Sequence, residues 1–343
     1  MKTVYSEAHR GHAGYFEMTG GSLAPGFEKP SRAEIVRARV EEVGLGEIVA
    51  PAAYGLGAAA AVHDPAYLAF LAEAWEMWTA AGNQVPALPM SWPVPGLRKA
   101  VPPARIDGLL GYYSFDAGAP IVAGTWAAVQ ASLDCALTAA DLVADGAPAA
   151  FGLCRPPGHH AGSSFMGGYC YVNNAAVVAR SLRDRGAARV AILDVDYHHG
   201  NGTQEIFYAD ADVLVANLHA DPREEYPYFL GHADERGASA GEGCNLNYPM
   251  PLGTTFETWS AALDDACRRI SAYGADVVVV SLGVDTFEKD PISGFRLKSG
   301  EFPRIGARIA ALGRPTVFLM EGGYAVAEIG VNAVGVLQGF EGG

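Results

Sequence analysis

From residue 149 onward the chain carries five short apolar runs: Ala149–Leu153, Arg189–Val195, Val213–Leu218, Asp276–Leu282 and Pro315–Met320. They are nearly continuous and rich in β-branched residues, as in strands buried on both faces. Before or between them, apolar residues recur at helical spacing over Thr125–Ala144, Asn173–Arg185, Phe256–Tyr273 and Glu301–Leu312. Strand alternating with helix predicts an α/β fold, a parallel sheet with helices on both faces. Ligands of such sheets bind beyond the carboxyl ends of the strands. Each run here leads into a polar or Gly-rich segment: Arg155-Pro156-Pro157-Gly158-His159-His160, Asp196-Tyr197-His198-His199-Gly200, His219-Ala220-Asp221, Gly283-Val284-Asp285 and Glu321-Gly322-Gly323-Tyr324.

One region departs from this rhythm. Gly82–Pro120 holds Pro86, Pro89, Pro93, Pro95, Pro102, Pro103 and Pro120 and shows little periodicity. Helical pattern flanks it on both sides, so it reads as a long loop and not a linker. Such loops in compact domains are usually lids or interface elements. With no internal repeat or low-complexity tract, residues 1–343 are expected to form a single domain.

Composition narrows the function. Apolar residues make up 50% of the chain and charged residues 18%, enough for a core without staples. Lys and Arg number 24 against 38 Asp and Glu, a net charge of -14. Such a surface repels phosphate, which argues against nucleic-acid and anionic-membrane partners but leaves cationic substrates open. Five cysteines without C-x-x-C spacing read as reduced thiols. The first residues show no secretory signal, and no uninterrupted apolar run approaches about 18 residues. A cytoplasmic protein is expected.

Five of the nine histidines (His159, His160, His198, His199, His219) fall at strand ends. Alternate residues of an extended segment share a face, so Asp194, Asp196 and His198 can point together. Asp196 and His198 make half a metal site, and Asp285, at another strand end, is the natural third ligand. Two carboxylates and one imidazole leave positions open for water and substrate. The set suits Zn²⁺ and would also accept Fe²⁺ or Mn²⁺. The tandem His159-His160 follows a Pro-Pro-Gly turn and can serve as general base and acid beside a water acidified by the metal. Tyr324, after Gly322-Gly323, can donate to a developing oxyanion.

Taken together, the Arg155–His160, Asp194–Gly202 and Gly322–Tyr324 segments resemble, in order, three signatures of the arginase/deacetylase superfamily. The resemblance runs from about Phe27 to Tyr324 and is closest to the zinc deacetylases, which include histone deacetylases and bacterial acetylpolyamine amidohydrolases. It implies the arginase/deacetylase fold, with a central, mostly parallel sheet of about eight strands. It implies Asp196, His198 and Asp285 as zinc ligands, His160 as general base, His159 as its electrostatic or proton-donating partner, and Tyr324 as the group that polarises the carbonyl. Asp194 matches the partner of His159 and Asn201 that of His160. An amide raises its histidine's pKa less than a carboxylate does, which suits a neutral base. Asp194 and the backbone near Asp196, His198 and Leu218 look like the family's structural K⁺ site, with Asn217 where the family commonly has serine. His199 reads as packing beside the metal, and His219 has no assigned role.

The resemblance also bears on substrate. Tyr169 and Tyr226 look like aromatic walls of an acyl-chain tunnel, with Gly168 and Gly322 beside them. Glu17 and Asp107 match acidic positions that receive a distal ammonium, and Asp116 sits close by. Gly118 stands where relatives can carry another acid. Residues 82–120 look like the insertion that narrows the tunnel and forms a homodimer in acetylpolyamine amidohydrolases. The expected activity is deacetylation of small cationic acetylated amines, such as acetylputrescine, acetylcadaverine or acetylspermidine. The competing readings are an acetyl-lysine peptide deacetylase, a catalytically silent amine-binding protein and, ranked low, a manganese ureohydrolase.

Overall fold

The computed structural model describes residues 1–19 and 21–343. Ten strands and nine α-helices are described, in chain order β1 (Lys2–Val4), β2 (Phe16–Thr19), β3 (Ser22–Pro25), α1 (Ser31–Val43), β4 (Ile48–Val49), α2 (Pro65–Ala80), α3 (Ile106–Tyr112), α4 (Thr125–Ala144), β5 (Ala149–Gly152), α5 (Asn174–Asp184), β6 (Val190–Asp194), α6 (Asn201–Phe207), β7 (Val213–Ala220), β8 (Asn245–Met250), α7 (Phe256–Tyr273), β9 (Val277–Leu282), α8 (Phe302–Ala310), β10 (Thr316–Met320) and α9 (Ile329–Glu341). Eight strands form one sheet in the order β4-β1-β5-β10-β9-β6-β7-β8, and β2 and β3 form a separate hairpin. Every pairing within the large sheet is parallel. This is the single-domain arginase/deacetylase architecture.

The five apolar runs are the centre of the sheet, and their residues alternate between two cores. Val190, Ile192, Val277, Val279, Val317 and Leu319 face one core with Leu68, Leu133 and Val177 of α2, α4 and α5. Ala191, Leu193, Val278, Val280 and Phe318 face the other with Val36, Leu263, Ile305 and Leu337 of α1, α7, α8 and α9. A strand buried on both faces has no polar side to display, which is why these runs show no period of two. Helix α4 is long and apolar enough to cross a membrane by composition. Here Leu133, Ala136, Ala139 and Ala140 pack into the core beside β5.

Parallel pairing brings all the strand ends to one edge. All five motif-bearing strands, in the order β5, β10, β9, β6 and β7, are neighbours in the sheet although their sequences span residues 149–320. The loops after them therefore meet. The 82–120 region is not wholly irregular. It contains α3, and a backbone bridge between Ala87 and Ile121 closes it near its base. It exposes Val85, Met90, Trp92, Val94, Leu97 and Val101.

Candidate active site

Asp196, His198 and Asp285 meet as expected, all buried, with one ligand atom from each lying within 4.8 Å of the others. His198 Nδ1 lies 3.3 Å from Asp196 Oδ1 and 3.1 Å from Asp285 Oδ2. Backbone N–H groups hold the outer faces of the carboxylates: Tyr197 donates to Asp285 Oδ1 (2.9 Å) and Gly322 to Asp196 Oδ2 (2.8 Å). Gly322 is required there by space, because a Cβ would fall 2.3 Å from Asp285 Oδ2 and 2.5 Å from Asp196 Oδ2. Among the described residues neither aspartate has a Lys or Arg ion-pair partner. Two buried carboxylates without such a partner call for a cation. A buried, negatively charged O,O,N donor set fits a divalent metal.

The tandem histidines stand beside this triad, and their partners differ as the sequence suggests. His159 Nδ1 pairs with Asp194 Oδ2 at 3.0 Å, and His160 Nδ1 with Asn201 Oδ1 at 2.7 Å. Burial opposes charge on both rings. On His159 the carboxylates of Asp194 and Asp196 overcome it and hold the pKa at about 10. On His160 burial, reinforced by His159 and His198, drives the pKa well below the usual value. Glu321 fixes the turn they sit on: its Oε2 accepts the N–H groups of Gly158 (2.7 Å) and His159 (3.2 Å). Burial lifts this carboxyl to about 7.

Across the sheet, Asp194 pairs in register with Asn217 of β7 and Ser281 of β9. Asn217 Oδ1 and Ser281 Oγ are buried without hydrogen-bond partners. A carboxylate flanked by two orphaned oxygens fits a monovalent cation, with Leu218 buried alongside. His199 and His219 pack against each other with ring centroids 4.6 Å apart, His199 bonded to Gln204 and His219 to the carbonyl of Ala220.

A cavity of about 510 Å³ opens over the triad through His198. His160, Gly168, Tyr169, Tyr226 and Tyr324 line it, together with Glu17 and Asp116. Tyr169 and Tyr324 stand with ring centroids 5.6 Å apart, and Tyr226 meets the His160 ring edge-on at 5.2 Å. Carboxylates orient the wall phenols: Tyr169 donates to Glu17 (2.7 Å) and Tyr226 to Asp116 (2.6 Å). Asp116 also accepts the N–H groups of Gly118 and Gly168. Tyr169 holds a φ of +66°, unusual for a bulky residue. Asp107 is not among the lining residues. It lies on α3, half exposed, paired with Arg105 at 2.9 Å.

Several residues of the site carry no role in the sequence reading. Glu225 lines the cavity and accepts the hydroxyl of Tyr197 at 2.8 Å. Arg32 of α1 is buried, with its guanidinium 4.6 Å from the centre of the Tyr324 ring. It donates to the carbonyls of Glu321 and Gly323 (both 2.6 Å) and to Glu28 (2.9 Å). Glu28 is shared with Arg155 (2.7 Å). Burial would raise the Glu28 pKa, but Arg155 and Arg32 bring it down to about 2. Glu225 stands directly before Tyr226, and Glu321 opens the Glu321-Gly322-Gly323-Tyr324 segment, so both lie beside residues that the motifs mark. Arg32 and Glu28 sit in a charge-rich stretch (Glu28, Lys29, Arg32, Glu34, Arg37) where nothing in the spacing marks which charges are buried.

The histone deacetylase domain model matches residues 26–340. The chain is 58% identical over 342 residues to acetylpolyamine amidohydrolase 2 of Pseudomonas aeruginosa, covering 100% of this chain and 99% of that one. It is 51% identical to the acetylpolyamine amidohydrolase of Mycoplana ramosa, covering 100% of both. The crystal structure of the acetylpolyamine aminohydrolase from Burkholderia pseudomallei superposes with a TM-score of 0.94 at 38% identity, covering 99% of this chain and 98% of that one. With three signature segments converging on one cavity and relatives aligned end to end, this chain belongs to the histone deacetylase domain family and is a hydrolase of amide bonds.

Proposed function

We propose that this protein deacetylates small N-acetylated polyamines and diamines, releasing acetate and the free amine. One observation carries the reading. The cavity over the triad is walled by tyrosines and carries three carboxylates, Glu17, Asp116 and Glu225, with no Lys or Arg among its described lining residues. Aromatic faces suit a methylene chain, and both they and the carboxylates attract an ammonium group. The names of the aligned relatives support the same substrate class.

Asp196, His198 and Asp285 would hold a zinc ion, with Fe²⁺ or Mn²⁺ compatible. When bound, the metal polarises the amide carbonyl and acidifies water. The protein's own groups do the rest. His160 keeps its Nδ1 proton on Asn201, so Nε2 is free to take a proton from the attacking water. Tyr324, whose pKa burial pushes up, stays protonated and donates to the oxyanion. His159, held charged by Asp194, stabilises the developing negative charge, and His159 or His160 protonates the leaving amine. Asp194, Asn217 and Leu218 would hold K⁺ beneath them. Glu17 receives the distal ammonium, with Asp116 holding the wall. The exposed apolar residues of the 82–120 segment support a homodimer and a lid, and a site for Asp107 at the mouth would need that assembly. The free thiols suit the cytoplasm.

The deciding experiment compares kcat/KM for acetylputrescine and acetylcadaverine with that for an acetyl-lysine peptide, using zinc-loaded and chelator-stripped protein. The amines should be cleaved faster by orders of magnitude, and only by the loaded protein. A preference of that size for the peptide would overturn the substrate assignment.

A further inference from the structure

Tyr324 sits on a turn that has no intrinsic reason to be rigid. Gly322 and Gly323 precede it, and Gly323 holds a φ of +124°, a conformation open to glycine and little else. A phenol that must meet a carbonyl within a fraction of an ångström cannot be left on such a hinge. Two groups brace the turn from opposite sides. Arg32 binds the carbonyls of Glu321 and Gly323. The N–H side is bound by Asp290, which lies outside the motifs and has no role in the mechanism above.

Asp290 is buried, at 7% exposure. Its Oδ2 accepts the N–H of Tyr324 at 2.6 Å and that of Ala325 at 3.1 Å. Its Oδ1 accepts the N–H of Ile292, a cavity-lining residue, at 3.2 Å. Its own N–H donates to the carbonyl of buried Phe287 at 3.0 Å, which anchors the carboxylate to its loop. That loop follows β9 and carries Asp285 five residues earlier. The Tyr324 turn is therefore tied to the same segment that presents a metal ligand. Three N–H donors converge on two oxygens. Only a carboxylate offers acceptors on both, since an amide would set its NH₂ against one of the donors.

We propose that Asp290 is a positioning residue for amide hydrolysis. It holds the Tyr324 phenol at the acyl carbonyl by binding the backbone of its turn, and it registers that phenol against Asp285. The inference rests on the reading above, in which Tyr324 donates to the oxyanion.

A double-mutant cycle tests it. Asp290→Ala should lower kcat on acetylputrescine about 100-fold, with KM changed by less than about 3-fold. Asp290→Asn, which keeps an acceptor for only part of the set, should fall in between. In a Tyr324→Phe background, Asp290→Ala should cost less than about 3-fold, because the group it positions is gone. Bound metal per chain should match the wild type in every variant. Should Asp290→Ala prove unable to fold, Asp290→Asn in both backgrounds completes the cycle. Unchanged kcat in Asp290→Ala, a loss that multiplies in full onto that of Tyr324→Phe, or a loss of metal would each overturn the proposal. If Tyr324→Phe alone leaves kcat unchanged, the donor reading of Tyr324 itself fails, an outcome distinct from an active-site tyrosine that ignores Asp290.

Discussion

Two adjacent residues of the same type are driven in opposite directions, and the difference lies in their partners. His159 has a carboxylate at 3.0 Å and His160 an amide at 2.7 Å. Both are buried; the carboxylates of Asp194 and Asp196 hold the charge on His159, whereas on His160 burial with His159 and His198 nearby wins, because its amide partner carries no charge to oppose them. Replacing the amide by a carboxylate should erase the distinction. In Asn201→Asp the pKa of His160 rises, so the ring is protonated over a wider acid range and cannot act as base there. The acid limb of the pH profile of kcat/KM should move to higher pH, with activity retained on the alkaline side. An unmoved limb would assign the base elsewhere. Tyr324 is tested more simply. Its phenol is protonated throughout the working range, so Tyr324→Phe removes one donor and no charge. Loss of a single oxyanion donor costs about 100- to 1000-fold in kcat, and the melting temperature should stay close to that of the wild type.

At the scale of elements, the loop between β5 and α5 carries the tandem histidines, and a residue from a distant element closes it. His63, just before α2, donates from Nδ1 to the carbonyl of Gly162 (2.9 Å) and accepts the N–H of Asn173 at Nε2 (3.0 Å). Asn173 in turn caps α5, accepting the N–H of Ala176. Both ring nitrogens are satisfied only by the neutral tautomer. Burial lowers the pKa to about 4 from the ordinary 6.5. Between these values the unfolded chain binds a proton that the folded one does not, so stability is complete above pH 6.5 and falls as pH drops toward 4. His63 alone contributes about 3 kcal/mol of this loss by pH 4. His63→Gln keeps a donor and an acceptor without titrating, so urea unfolding of the variant should show a shallower decline across that window. An identical decline would remove His63 from the account. This latch was invisible in the sequence, as were Arg32 and Asp290. Each is a single polar residue whose meaning depends on a neighbour more than 30 residues away. The central strands and helices α4 and α7 were legible because burial on a regular period leaves a pattern. Strands β1 and β4, with three and two residues, are too short to show one. Strand β8 alternates polar with apolar residues and contains Pro249, as an edge strand can. The convergence of Asp196, His198 and Asp285 was legible because parallel topology sends strand ends to one place, a rule that needs no coordinates.

For the whole molecule, the net charge of -14 and the carboxylates of the cavity would act on the proposed cationic substrate over different distances. The distributed charge is a field of solvated groups, screened beyond about 8 Å at physiological ionic strength. Glu17 is partly buried and lies within the cavity, where burial lifts its pKa despite the bond from Tyr169. Contact at that depth is screened far less. The two contributions can be separated by salt and by substrate charge. Raising NaCl from about 10 mM to 500 mM should lower kcat/KM for acetylputrescine, which carries one ammonium, by a few-fold, and that for acetylspermidine, which carries two, by roughly the square of that factor. The loss should fall on KM, because the field gathers substrate without touching the reacting atoms. Glu17→Gln should raise KM at every salt concentration while leaving the salt slope nearly intact. If the slope disappears with Glu17, one buried carboxylate accounts for the whole attraction and the other acids only solvate the surface. If neither salt nor Glu17→Gln moves KM, the amine is recognised by the tyrosine walls alone.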